Sequence, residues 1–265
     1  MLILKIGGGK TINLKAIIAD LKNINQPFMV VHGAHALRDE IAQKMSHPIK
    51  TVTSVSGYAS VLTDQPAMDI FMMAYAGLRN KRLVELCQQN NINAIGLTGL
   101  DGGLIRGHRK KAIKIRIKDK IKLIRDDLSG RPDKLNVDLL NSILSMGYVP
   151  FITPPILSYQ GQALNTDNDT IVALLVKELS IETVIHLLEE PGLLKNINDP
   201  GSLIKKISQR ELEFMEKIYT QGRMKRKMLS VRQAFANGVK KVIFADGRVD
   251  QPISQALKGK GTIII

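Results

Sequence analysis

Four short stretches collect residue types suited to handling an anion. In "KIGGGKT" an apolar strand broken only by Lys5 runs into Gly7, Gly8 and Gly9, followed by Lys10 and Thr11. A Walker loop needs its first glycine where Leu4 stands, and a dinucleotide fingerprint needs a further glycine among residues that are here Lys10 to Asn13. What remains is a lysine carried by a strand to a turn whose bare N–H groups can approach an anion. "VVHGAH" sets Gly33 at the start of a helix, where backbone N–H groups favour negative charge. "ALNTDNDTIVALL" places Asn165, Asp167 and Asp169 just before an apolar helix. Helix capping is the structural alternative there, strongest for Asn168. Last, "QGRMKRKM" crowds Gly222, Arg223, Lys225, Arg226 and Lys227 at a helix start, an unfavourable place for cations unless an anion sits beside them.

Strands and helices must alternate to bring these loops together. Strand patterns occur at 2–6, 28–32, 92–97, 148–153, 183–187 and 241–245, with helical patterns at 13–23, 36–44, 66–89, 135–146, 168–178, 209–219 and 225–237. Such alternation predicts an α/β fold with a mostly parallel sheet covered on both faces, whose ligands bind outside the carboxyl ends of the strands. The long helix carries Met68, Phe71, Met72, Tyr75 and Leu78 at helical spacing, which reads as core or subunit interface. A division after the Pro154–Pro155 turn, near Leu164, gives lobes of 1–164 and 165–265.

Composition narrows the classes. The chain of 265 residues is 44% hydrophobic and 23% charged, and no uncharged apolar stretch reaches membrane-spanning length. Lys5 and the glycines interrupt any signal-peptide core, so a cytoplasmic protein is expected. Cys87, the only cysteine, falls in an apolar helical pattern and reads as a buried, inert thiol. The net charge of +14 favours an anionic partner, and ten basic residues between Gly103 and Arg125 face one acid, Asp119. Within that span "AIKIRIKDKIKLIR" alternates, so Ile113, Ile115 and Ile117 share one face and Lys114, Arg116 and Lys118 the other. A hairpin turning near Asp119 and Lys120 is expected, with one basic wall; a solvated edge strand is the bland alternative. Nucleic acid is a poor partner for it, because the chain has no Trp and this span no Phe or Tyr on which a base could stack.

Taken in order, the four loops resemble the amino acid kinase family, in particular its carboxylate kinases related to N-acetylglutamate kinase. "GLRNKRLVELCQQNNINAIGLTGLDGGLIRGHRK", "FITPPILSY", "LNTDNDT" and "VKKVIFADGRV" are similar to the branch that phosphorylates glutamate or 2-aminoadipate on a LysW-type amino-group carrier protein. The resemblance implies a three-layer αβα sandwich with an amino-terminal lobe for the acyl substrate and the homodimer contact, and a carboxy-terminal lobe for ATP and Mg²⁺. It implies an acidic carrier as partner. It also assigns Lys5 and Lys227 to the transferring phosphoryl group, Asp169 to orienting both, and Gly7, Gly8 and Gly33 to phosphate binding. Gly33, Ala34, His35 and Asn165 fall at substrate-binding positions.

Three departures accompany the resemblance. His32-Gly33-Ala34-His35 replaces His-Gly-Gly-Gly, Leu188 and Glu189 replace a hydroxyl residue and Asp or Asn, and Val61 stands where the family has an arginine that clamps the substrate α-carboxylate. A carboxylate there needs another cation, because burying it unpaired costs several kcal/mol. His35 and Arg38 are the nearest candidates, the alternative being that both are surface residues. Free N-acetylglutamate as substrate and a catalytically altered homologue are the competing readings.

Overall fold

A computed structural model of the chain describes residues 1–55, 59–117, 120–220 and 222–265. In chain order the amino-terminal half contains β1 (Leu2–Ile6), α1 (Leu14–Asp20), β2 (Phe28–His32), α2 (His35–Lys44), β3 (Thr51–Thr53), β4 (Ala59–Val61) and α3 (Gln65–Met72). A π-helical stretch, Met73–Arg79, joins α3 to α4 (Asn80–Gln89), and β5 (Ala94–Gly99), β6 (Ile105–Arg109), β7 (Ile113–Ile117), β8 (Lys120–Ile124) and β9 (Gly130–Leu135) follow. Then come α5 (Val137–Ser145), β10 (Val149–Ser158), β11 (Ala163–Leu164), α6 (Asn168–Leu179), β12 (Thr183–Leu188) and β13 (Lys206–Ile207). The chain ends with α7 (Leu212–Tyr219), α8 (Gly222–Ala236), β14 (Lys241–Asp246), α9 (Pro252–Leu257) and β15 (Thr262–Ile264).

The main sheet runs β13-β15-β14-β12-β1-β2-β10-β6-β9, with β5 and β11 also paired to β10. Its centre is parallel: β14, β12, β1, β2 and β10 are joined in register, and antiparallel pairs occur at β14–β15, β6–β9 and β10–β11. Because side chains alternate along a strand, Leu2, Leu4 and Ile6 enter one core with Ile17, Leu83 and Ile253 of α1, α4 and α9. Ile3 enters the other with Val172, Leu175 and Val231 of α6 and α8. Lys5 shares the phase of Ile3 and so faces α6. Helices thus cover both faces, as the alternation predicted. Cys87 is buried on α4, where burial pushes its thiol up to about 12 and leaves it unreactive.

Two expectations need correction. Pro154–Pro155 is no turn: both residues lie inside β10, between the segment that pairs with β2 and β5 and the segment that pairs with β6 and β11. Prolines lack the ladder donor and are tolerated where a strand changes partners. Nor is the basic span one hairpin. Arg106 and Arg109 belong to β6 in the main sheet, and only β7 and β8 form the separate two-stranded ribbon. The turn expected near Asp119 lies outside the described residues. Ile113 and Ile115 are buried as expected, but pairing puts Leu123 opposite Lys114, so the outer wall mixes basic residues with exposed Ile121 and Leu123.

Candidate active site

Parallel strands all end on one edge of the sheet, and the glycine turns after β1 and β2 meet there. Gly33 N donates to the Ile6 carbonyl and Ala36 N to that of Gly8, each at 3.0 Å. A Cβ on Gly8 would stand 2.6 Å from Ala34 N and 2.7 Å from His35 N, so no larger residue fits between the turns. Lys5, the penultimate residue of β1, emerges beneath them and is 4% exposed.

The helices opposite supply the rest of the centre. Asp169 sits in the first turn of α6 and Lys227 in the second turn of α8, two helices packed against each other. Lys5 Nζ lies 3.1 Å from Asp169 Oδ1, and Lys227 Nζ lies 3.5 Å from Asp169 Oδ2. One carboxylate therefore lies between two ammonium groups carried by different elements. Burial pushes the Lys5 ammonium down to about 8, against the opposing pull of Asp169. Burial works to depress Lys227, but Asp169, together with the contacts to Lys5 and the charge of Glu190, holds it above its ordinary value. For Asp169 burial works upward, and Lys227 and Lys5 overcome it and keep the carboxyl far below the usual carboxylate range. The group is ionised throughout and carries one net positive charge.

Two of the cations at the start of α8 thus face acids at the start of α6, Lys227 with Asp169 and Arg226 with Asp167. Arg226 Nη1 donates to both oxygens of Asp167, at 3.0 and 2.8 Å, and Arg226 Nη2 reaches Ser60 Oγ at 3.4 Å. Capping does not account for these acids: Asp167 precedes α6 but its side chain makes no cap hydrogen bond, and Asn168 is the first helical residue, its buried Oδ1 making no hydrogen bond among the described residues. Asn168 lies against Gly33, on the cleft wall.

A cleft of about 2260 Å³ runs past this centre, lined by Thr51, Ser60 and Val61 towards the amino-terminal half and by Leu193, Tyr219 and Asn237 towards the other. Gly7, Gly8, Gly33, His35 and Asn165 all line it. Asn165 Nδ2 donates to Thr63 Oγ1 at 2.9 Å, which ties the strand end of β11 to the segment after β4. Ala34 differs: it is fully buried among Met68, Phe71 and Tyr75, so only its backbone is left for the turn. Arg38 is no surface residue. It is 6% exposed, lines the cleft, and donates to Asp39 Oδ1 from Nε at 2.8 Å and from Nη2 at 2.6 Å. Glu189, beyond β12, accepts from Thr11 N at 3.0 Å and Thr11 Oγ1 at 2.8 Å and lies across Gly9. Sequence reasoning missed two residues that the structure brings in, Arg226 as a bridge and His186 beside Asp169; a lone polar residue in the apolar run of β12 was the available signal for the second.

Two lysines, an acid between them and two converging glycine turns stand together at one sheet edge, an arrangement chemically able to hold a small anionic group. Residues 1–246 match the model of the amino acid kinase family, and the chain belongs to that family. It is 42% identical over 268 residues to the [LysW]-aminoadipate kinase of Thermus thermophilus, covering 100% of both chains. It is 40% identical to the protein of that name from Deinococcus radiodurans, covering 100% of this chain and 91% of the relative. Among solved structures, smu.665 from Streptococcus mutans superposes with a TM-score of 0.77 at 18% identity, covering 99% of this chain and 97% of that one, a likeness of fold.

Proposed function

We propose that this protein transfers the γ-phosphoryl group of ATP to the side-chain carboxylate of a 2-aminoadipyl or glutamyl group held on a LysW-type carrier protein. The observation that carries this is the Lys5–Asp169–Lys227 group beneath two abutting glycine turns; the names of the full-length relatives supply the acceptor. A side-chain carboxylate, with an ordinary pKa of about 4.3, is already a nucleophilic anion at neutral pH, so no general base is required. The obstacle is repulsion between two anions brought into line, and fixed positive charge with preorganised N–H donors offsets it. Lys5 and Lys227 provide that charge, and Asp169 keeps both directed at one point. Mg²⁺ fits as a companion of the nucleotide: the Asp169 oxygens are engaged by lysines, and no cluster of three potential metal ligands occurs among the described residues. When bound it would neutralise phosphate charge.

The acyl end reads differently. Val61 brings no charge, but the Arg226 guanidinium reaches its neighbour Ser60 from α8. We assign the substrate α-carboxylate to Arg226, with Asp167 as the acid it shares or displaces; this places the clamp on the opposite half of the molecule from where the family carries it. Exposed Met73 and Leu78 along the long helix fit a homodimer contact, and an ATP-dependent biosynthetic step fits a cytoplasmic setting. No helix among the described residues is long and apolar enough to cross a membrane.

Phosphoryl transfer from labelled ATP to carrier-linked aminoadipate, carrier-linked glutamate and free N-acetylglutamate tests the function. Transfer to a carrier-linked acceptor is expected. Transfer to free N-acetylglutamate alone would replace the carrier by the free amino acid, and no transfer to any acceptor would leave a catalytically altered homologue.

A further inference from the structure

β12 is apolar from Val184 to Leu188 except at His186, which is 3% exposed. Parallel register sets His186 beside Lys5 of β1 and beside Phe244 of β14, on the face that α6 covers. Its ring meets Phe244 edge-on, with centroids 5.3 Å apart at 82°. Nδ1 lies 3.6 Å from Asp169 Oδ1, the oxygen that Lys5 Nζ approaches at 3.1 Å. Neither His186 Nδ1 nor Asp169 Oδ1 makes a hydrogen bond of good geometry among the described residues.

We propose that neutral His186 is a positioning residue for phosphoryl transfer, donating from Nδ1 to Asp169 Oδ1 and fixing the carboxylate so that each oxygen serves one lysine. The inference rests on the carboxylate-kinase reading and adds to it a residue that touches neither substrate. In the free protein Lys5 shares Oδ1. When Lys5 turns its charge to an incoming phosphoryl group, that oxygen loses its nearest donor, and His186 needs to close by only a few tenths of an ångström to reach hydrogen-bond distance. Without it the carboxylate is free to rotate about its last bond towards Lys227.

The charge state suits this role. The groups facing the imidazole are Lys5 from β1, Asp169 from α6 and Lys227 from α8, with Phe244 apolar on β14, and Glu190 beyond β12 acts on Lys227. Burial pushes the imidazole down to about 3; Asp169 opposes this while Lys5 and Lys227 reinforce it. It is therefore neutral at working pH, a donor that adds no third cation between two lysines. Leucine or phenylalanine would pack there without donating. Asparagine carries an amide N–H at about the depth of Nδ1.

The test compares His186→Phe and His186→Asn in the full chain with the wild type as control. In His186→Phe, kcat should fall about tenfold or more, the loss of one positioning hydrogen bond, with the Michaelis constant of the acyl substrate unchanged. The alkaline limb of kcat/KM for ATP should move to lower pH, because a less well-held Asp169 supports the Lys5 charge less. His186→Asn should recover both. A Phe variant with wild-type kcat and an unmoved limb would overturn the proposal, as would an Asn variant that melts like the wild type yet is as impaired as Phe. Long-range ¹⁵N–¹H correlation of the wild-type imidazole gives a reading independent of activity and of mutant folding: the Nδ1–H tautomer is expected, and the Nε2–H tautomer would refute the assignment. Absence of phosphoryl transfer in the wild type would count against the function while leaving this spectrum to judge His186.

Discussion

The two ends of the cleft handle charge in opposite ways. At the end where we place phosphoryl transfer one buried acid is shared by two lysines, leaving a net positive charge. At the end where we place the acyl substrate, two of the arginines that line the cleft have an acid of their own, Arg38 with Asp39 and Arg226 with Asp167. In the first the Lys5 charge is unfavourably placed in the free protein and an anionic substrate relieves it; in the second Arg38 and Arg226 are already paired before any substrate arrives. Binding energy at the acyl end is therefore a difference between two carboxylates competing for one guanidinium, whereas at the phosphoryl end it is relief of an existing strain in charge.

The largest effects should come from the phosphoryl end, and there activity and stability should separate. Removing one preorganised charge typically costs about 3–4 kcal/mol of transition-state stabilisation, so Lys5→Met and Asp169→Asn should each lower kcat by a factor of 100 or more. Their melting temperatures should move apart. The fall of the Lys5 pKa from 10.5 to about 8 means that its charge is worse placed in the folded chain than in water, by roughly 3 kcal/mol. Lys5→Met removes that cost and should melt at or above the wild type. Asp169→Asn leaves a buried ammonium without its counter-charge and should melt several degrees lower. If both variants melt alike, the charge at this end is not the uncompensated one described.

The same imbalance sets a pH dependence. Both states bind the Lys5 proton below about pH 8; between there and the 10.5 of a free lysine the unfolded chain binds more, so stability rises with pH across that window. Activity should run the other way, kcat/KM for ATP falling as Lys5 loses its proton above about pH 8. Parallel profiles of melting temperature and kcat/KM check the sign: if both fall together above pH 8, Lys5 is not the titrating group.

At the acyl end the expected effect is smaller and confined to one constant. Arg226→Ala removes a charge-assisted contact and also frees Asp167 to repel the substrate, so the acyl Michaelis constant should rise about tenfold or more with that of ATP little changed. Val61→Arg in the Arg226→Ala background should recover part of the loss, because it returns a cation beside Ser60. If Arg38→Ala raises the acyl constant and Arg226→Ala does not, the clamp lies on α2.

The two ends also differed in how far the sequence showed them. Lys5, Asp169 and Lys227 were singled out through the resemblance to the amino acid kinase family, and local pattern showed only that each lies near a loop at the end of a strand or the start of a helix, which is where the structure brings them together. The sheet was legible from local pattern: alternation placed its six central strands. The π-helical turn after Met72, the strand course through Pro154–Pro155 and the Arg226 bridge to Ser60 were not, since each depends on what packs across from it. Arg38 shows the limit plainly. Its helix was expected, but whether its guanidinium faced solvent or the cleft depended on packing, where Asp39 accepts from it and Tyr75 lies within its field.

The smallest effect belongs to the β7–β8 ribbon, whose Ile113 and Lys114 stand on the rim of the same cleft. A basic wall alone would steer an acidic carrier over long range, and the whole of its contribution would vanish with salt, because the Debye length shrinks from about 10 Å at 0.1 M to about 3 Å at 1 M. The ribbon instead presents exposed Ile121 and Leu123 beside Lys114. Apolar contact is insensitive to screening and acts after encounter, on dissociation. Lys114→Glu should therefore slow carrier association severalfold at low ionic strength and have little effect at high salt, while Leu123→Ser should speed dissociation at both. Stopped-flow binding of the carrier at two ionic strengths separates the two terms. If both variants bind like the wild type at low salt, the ribbon is a solvated edge and the carrier approaches the cleft from elsewhere.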